Sequence, residues 1–256
     1  INFETASPTV TIEGTGWVNV RNIRNETTGQ LLNLTWTDIN AWQAEFPLAL
    51  GENVLALQAI DFQGNPLGTF FSPGVDAITV THTGTIEAAS SSNLVISEIH
   101  YHPAGDTEAG EFIELRNVAP HPIDLAGIRF TRGVVWELAN DVSSILEPGA
   151  MALLVKDPNK FEDVLGSYGE SNLGNEGEML RLEDRGRALI QEVRYNDKLP
   201  WPAEADGLGY SLVFRSGDGQ SPYHWRSSAD PGGSPGRAET STDHWVIAKP
   251  LAVNAL

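Results

Sequence analysis

Apolar residues in this chain of 256 recur in short runs, about every 8–12 residues, between clusters of Gly, Pro, Asn and Asp. Val, Ile, Leu, Thr and Trp dominate the runs, and many alternate with polar residues at the period of a half-buried strand. Helical periodicity is nearly absent. The longest candidate is 158–166, one or two turns that Gly166 would stop. The pattern predicts strands near 9–13, 16–24, 30–36, 41–48, 53–61, 66–70 and 76–82, then near 94–100, 111–117, 127–132, 134–138, 150–155, 178–183, 188–194 and 210–214. This spacing belongs to β-sandwiches or barrels.

In the first set, Ala41-Trp-Gln-Ala-Glu-Phe-Pro-Leu48 alternates large apolar side chains with others. Leu50-Gly-Glu-Asn53 makes a turn, Val54–Ile60 follows as a core strand, and Asp61-Phe-Gln-Gly-Asn65 closes a hairpin. Over roughly residues 8–84 this series resembles the bacterial immunoglobulin-like modules appended to secreted glycosidases and surface proteins.

Residues 87–93 are mostly small and polar, a linker composition. Beyond them, Leu94-Val-Ile-Ser-Glu-Ile-His100, a polar turn with Pro103, Gly105 and Asp106, Gly110-Glu-Phe-Ile-Glu-Leu-Arg-Asn117 and Pro122–Phe130 follow in order. Leu146–Val155, Asn175–Asp184 with Ala188–Val193, and a closing region holding Trp201, Trp225 and Gly232-Gly-Ser-Pro-Gly236 complete the series. Together these pieces resemble the lamin-tail domain, in the form found in exported bacterial proteins. The resemblance implies an immunoglobulin-like sandwich that scaffolds or adheres rather than catalyses. The expected organisation is an immunoglobulin-like sandwich over 1–86, a linker over 87–93, a lamin-tail-like sandwich over 94–238, and a tail over 239–256 leading toward a further segment.

Charge narrows the partners. Thirty-four acids against 16 bases leave a formal charge of −18. Residues 1–92 hold nine acids and two bases, and 93–238 hold 23 acids and 13 bases. Such a field repels phosphate backbones, which weighs against the nucleic-acid association that lamin-tail analogy would suggest. Absence of cysteine removes disulfides, thiol catalysis and Cys-based zinc sites. No apolar run of membrane-spanning length occurs. The chain opens on a strand-like Ile1-Asn-Phe and ends just after Trp245-Val-Ile-Ala248, so it reads as a piece of a longer protein.

Several groups are candidates for chemistry. Glu98, His100 and His102 would share one face of an extended segment and offer a metal two imidazoles and a carboxylate, with a fourth ligand missing. Acidic turns are candidate calcium sites: Asp61 with Asn65, Asp106 with Glu108 and Glu111, and Asp197 with Glu204 and Asp206. None follows the EF-hand pattern, and turn formation explains the same residues. Gly232-Gly-Ser-Pro-Gly236 satisfies G-x-S-x-G, but Asp230-Pro before it and Pro235 after it deny the strand–turn–helix that a nucleophile elbow needs. Glu111 and Glu114 are spaced to fall on opposite faces of a strand, which denies them a joint glycosidase role. Asn25-Glu-Thr27 and Asn33-Leu-Thr35 are glycosylation sequons, relevant only to a eukaryotic secretory pathway. Trp17, Trp36, Trp42 and Trp136 fall in strand patterns and are expected in cores, whereas Trp201, Tyr223 and Trp225 are candidates for a sugar-stacking patch.

The sequence therefore predicts an all-β chain of two tandem immunoglobulin-like sandwiches, joined by a modest polar interface with measurable interdomain motion. Its expected role is a non-catalytic structural or adhesive module of a larger exported, extracellular or cell-surface bacterial protein. The expected partners are other domains of the same chain and a cell-surface polymer. A carbohydrate-binding accessory role is the alternative. No cofactor is expected beyond a structural calcium ion at an acidic turn.

Overall fold

The computed structural model describes residues 2–16, 18–68, 75–105 and 108–239. Trp17, the far end of the strand expected over 66–70, Asp106 and the tail from 240 onward lie outside the described residues.

The first sandwich is built from β1 (Asn2–Thr5), β2 (Thr9–Thr15), β3 (Asn22–Asn25), β4 (Thr35–Trp36), β5 (Ala41–Pro47), β6 (Gly51–Ile60) and β7 (Val75–His82). One sheet has the order β1-β7-β6-β3 and the other β2-β5-β4. The alternation read in β5 sends Trp42, Ala44 and Phe46 inward to meet Ile12, Ile23, Leu55, Leu57 and Val80. Gln43 and Glu45 point the other way. Gly14 pairs with Trp42 across β2 and β5, and any Cβ at that position would overlap the indole. Trp36, expected in the core, lies on a two-residue edge strand and is 40% exposed.

The second sandwich comprises β8 (Glu87–Ala88), β9 (Leu94–His100), β10 (Phe112–Asn117), β11 (Ile123–Asp124), β12 (Arg129–Arg132), β13 (Trp136–Glu137), β14 (Ile145–Leu146), β15 (Met151–Val155), β16 (Val164–Ser167), β17 (Met179–Glu183), β18 (Leu189–Arg194), β19 (Leu212–Phe214) and β20 (Trp225–Ser227). Its six-stranded sheet runs β16-β15-β10-β9-β19-β20, faced by β13-β12-β17-β18, with a small sheet β14-β11-β8 at one end. Ile96, Ile113, Leu115, Phe130, Leu154, Leu180, Leu182 and Val193 fill the space between. The core is separate from that of the first sandwich.

Two expectations need correction. Residues 87–93 are not a free linker. Glu87 and Ala88 pair in parallel with Ile123 and Asp124, and both are buried. Asn93 is buried too, its amide donating to Glu87 Oε2 (3.0 Å) and to the Ala88 carbonyl (2.9 Å). Small side chains here allow close packing rather than free movement. The helical candidate over 158–166 is one 3₁₀ turn, Pro158–Lys160, capped by Asp157. After it, Val164–Ser167 joins the sheet parallel to β15.

Candidate functional site

The bulged pairing of β9 with β10 places Glu98 opposite Glu114 and His100 opposite Phe112. All four are buried. The three residues expected to form a metal site do not converge. Glu98 accepts from the Ser211 hydroxyl, the Ser234 amide (2.9 Å) and the Ser234 hydroxyl (2.7 Å). His100 Nδ1 lies 3.1 Å from the Gly110 carbonyl, and His102 Nδ1 lies 2.8 Å from Asp206 Oδ1. Pro103 turns the chain out of the sheet, which is why His102 leaves the strand's face. Among the described residues no group of three or more His, Cys, Asp or Glu could hold a metal ion.

Ser234, the serine of the G-x-S-x-G segment, is buried and spends its hydroxyl on Glu98. At Gly233 a Cβ would collide with the Glu98 carboxylate, and φ is +70°, so both space and backbone require glycine there. Gly236 donates its amide to Glu114 Oε2 (2.9 Å), whose other oxygen accepts from Ser97 Oγ (2.7 Å). The closing segment is thus fastened to β9 and β10 by two carboxylates. Burial pushes Glu98 above its ordinary value, against the opposing pull of the Ser211 and Ser234 donors. Burial also raises Glu114 to about 7, with Glu98 adding to the rise.

Glu111 and Glu114 share no bonding partner. Glu111 accepts from the Leu173 amide (2.9 Å) and the Tyr168 hydroxyl (3.4 Å), and burial raises it to about 7. Among the calcium candidates, Asp61 accepts from the amides of Gln63 (2.9 Å) and Asn65 (2.8 Å), and the Asn65 amide first among these bonds lowers its pKa. Glu204 accepts from Ser227 Oγ, while Asp206 faces His102 and Asp197 lies 3.5 Å from Lys198 Nζ. Asp61, Glu204 and Asp206 are engaged by their own neighbours, whereas among the described residues buried Asp197 Oδ1 accepts no hydrogen bond and has only the ion pair with Lys198.

The aromatic patch does not form. Trp201 and Trp225 are buried with ring centroids 6.5 Å apart, and Phe214 lies 5.3 Å from Trp225. The Trp225 indole N–H donates to the Gly219 carbonyl (2.9 Å). Tyr223 alone is at the surface, 76% exposed. The two tryptophans instead close one side of the second core.

The polar interface expected between the sandwiches is present, through partners that no local motif marks. Arg185 grips Glu45 in bidentate fashion, Nε to Oε2 at 3.0 Å and Nη2 to Oε1 at 2.8 Å. Asn140 Nδ2 donates to the same Glu45 Oε2 (3.2 Å). Glu87 accepts the Leu50 amide on Oε1 (3.0 Å), and His121 Nε2 is 2.8 Å from its Oε2. The only sequence signal was the outward phase of Glu45 in β5; its partner lies 140 residues away.

Paired β-sheets enclosing apolar cores, with polar groups spent on holding loops, define the immunoglobulin-like sandwich. Residues 87–197, less than half of the chain, match the family model "Lamin Tail Domain". The match begins at the buried strand β8, whereas β19, β20 and the closing segment lie beyond its end. No match was found among curated proteins. Among solved structures, a DUF4876 family protein from Bacteroides thetaiotaomicron is 10% identical with TM-score 0.41, covering 85% of this chain and 95% of that one. A Bacteroides ovatus SGBP-B of a mixed-linkage glucan utilization locus, in complex with a mixed-linkage heptasaccharide, is 14% identical with TM-score 0.21 over 74% of this chain and 38% of that one. A DUF4785 family protein from Legionella pneumophila is 12% identical with TM-score 0.18 over 76% and 53%. At these scores the likenesses carry no functional argument.

Proposed function

We propose that this chain is a non-catalytic, load-transmitting module of a larger exported bacterial protein, holding neighbouring domains at a fixed separation on the cell surface. The observation that carries this reading is the Arg185–Glu45 fork, which ties a turn of the lamin-tail sandwich to a strand of the first one. A planar guanidinium–carboxylate pair restrains orientation as well as distance. Glu87 adds a second tie by accepting the Leu50 amide. Two ties at separate points oppose hinge rotation more than one would. A spacer needs that stiffness, and it needs no reactive serine or paired acids.

The alternative of sugar binding through Trp201, Tyr223 and Trp225 loses its platform, because two of the three rings are buried. Export and surface location form part of the proposal. No helix among the described residues is long and apolar enough to cross a membrane, which leaves β-barrel spans unaddressed. The test is an antibody raised against this chain and applied to intact cells of the source bacterium. Labelling without permeabilisation is expected; labelling only after permeabilisation would refute the surface role.

A further inference from the structure

Between the two sandwiches lies a polar cavity of about 340 Å³ whose lining the spacer role does not explain. Small-molecule pockets occupy roughly this size range and favour domain junctions. Its charged lining is Arg129, Arg185 and Arg187 with Glu45 and Glu137. Three of the chain's 16 basic residues thus meet in one place, in a protein whose formal charge is −18. Bases gathered in an otherwise acidic protein make this a place where an anion is repelled less than elsewhere on the surface.

The arginines differ in how far they are used. Arg185 is held by the Glu45 fork through Nε and Nη2, which fixes its plane beside the cavity. Arg129 is nine-tenths buried; its Nε reaches Glu183 (3.3 Å), but its buried Nη2 has no hydrogen-bond partner. Arg187 is exposed, and no ion pair is formed by its side chain among the described residues. Its φ is +69°, a conformation that non-glycine residues seldom adopt and that clusters at binding sites. The turn keeps it there: the Arg187 amide donates to the Asp184 carbonyl (2.9 Å), and the Asp184 carboxylate accepts from Ala188 (2.8 Å).

The rest of the wall is hydroxyl and amide. Thr11, Thr35 and Gln43 come from the outer face of the β2-β5-β4 sheet, with Asn33 before β4 and Asn140 across the junction. Such groups both donate to and accept from the hydroxyls of a polyol. Glu45 holds Arg185 and Glu183 meets Arg129, which leaves Arg187 as the one guanidinium of the three without an ion pair among the described residues. That balance suits a single carboxylate and disfavours a dianionic phosphate. Fork-shaped donors match a carboxylate's planar pair of oxygens.

We propose that this cavity binds a carboxylate-bearing sugar, a hexuronate residue, with its carboxylate toward the arginines and its hydroxyls toward the Thr, Asn and Gln side chains. The inference stands apart from the spacer role: a spacer without this ligand, and a ligand site on a protein of another role, are both physically coherent.

The test is isothermal titration of the full chain with galacturonate and glucuronate, beside glucose, acetate and inorganic phosphate. At least one uronate is expected to bind with Kd of about 1 mM or tighter, and glucose, acetate and phosphate about tenfold more weakly or worse. Arg187→Gln and Asn140→Ala are each expected to weaken the uronate about tenfold, with the circular dichroism melt of Arg187→Gln unchanged. Absence of uronate binding up to about 50 mM overturns the proposal. So does equal binding of acetate or phosphate, which marks a bare anion site, or equal binding of glucose, which leaves the arginines no role. Undiminished uronate affinity in both variants overturns it as well, by placing the site elsewhere.

Discussion

Replacing Glu114 by glutamine should stabilise this protein at pH 8 and leave it nearly unchanged at pH 5. Glu114 faces Glu98 across the β9–β10 ladder and is buried, which lifts its pKa from an ordinary 4.5 to about 7. A folded-state pKa above the unfolded one means the native protein binds the proton more tightly. The associated stability is fully present below pH 4.5 and is lost as pH rises through about 7. At roughly 1.4 kcal/mol per pKa unit, the loss amounts to about 3 kcal/mol by pH 8. The neutral acid is well accommodated. Its hydroxyl can donate to Ser97 Oγ, whose own proton then turns to the Glu114 main-chain carbonyl 3.2 Å away, and the remaining oxygen still accepts from Gly236. Glutamine reproduces that pattern, with Nε2 donating to Ser97 and Oε1 accepting from Gly236. Urea unfolding at pH 5 and pH 8, followed by far-ultraviolet circular dichroism, measures the effect. Wild type should lose stability over this interval more steeply than Glu114→Gln, by up to about 3 kcal/mol. Glu111 and Asp184, raised to about 7 and about 6, give both proteins a common residual slope of the same sign. Equal slopes, or a variant less stable than wild type at pH 8, would refute the reasoning.

Ser234→Ala removes a donor from buried Glu98 and should cost about 1–3 kcal/mol in urea unfolding, whereas a nucleophilic serine would show its loss in turnover instead. Glu45→Gln breaks the fork with Arg185 and should change fold stability by no more than about 1 kcal/mol, while broadening the interdomain distance distribution in small-angle scattering; an unchanged distribution would remove the fork as the restraint. Melting temperatures in calcium and in chelator should agree, since Asp61 already accepts from the amides of Gln63 and Asn65, and a rise in calcium would expose a site that these contacts conceal.

Strands such as Ala41–Pro47 were legible because one face is buried and period-2 alternation leaves a plain trace. The two-residue strands Glu87–Ala88, Ile123–Asp124 and Ile145–Leu146 were not, since so short a run has no period to read. Composition misled over 87–93: small polar residues signal a linker, yet the burial of Asn93 depends on Glu87, His121 and β11 being present. Trp201 and Trp225 misled in the opposite direction. Irregular sequence suggested exposure, but a long closing segment needs large apolar side chains to pin it to the sandwich. The arginine-lined cavity was invisible because its walls come from residues 11–45 and 129–187, and nothing local in either stretch announces the other.

The acidic composition takes on a structural meaning once the buried carboxylates are traced. An all-β chain routes long irregular segments across its sandwiches, and their amides find no ladder partner. Carboxylates supply the acceptors. Glu98 takes the Ser234 amide across 136 residues, Glu114 that of Gly236 across 122, Glu111 that of Leu173 across 62, and Glu87 that of Leu50 across 37. Charge-assisted bonds are shorter and stronger than neutral ones, and a carboxylate can take several donors at once. The accompanying cost is desolvation, visible in the upward displacement of Glu98, Glu111 and Glu114. Acids that fasten distant backbone in this way are not vacant cation ligands, so −18 overstates the charge available for binding. The functional question moves to where the bases gather, and among the described residues the junction cavity with Arg129, Arg185 and Arg187 is such a place.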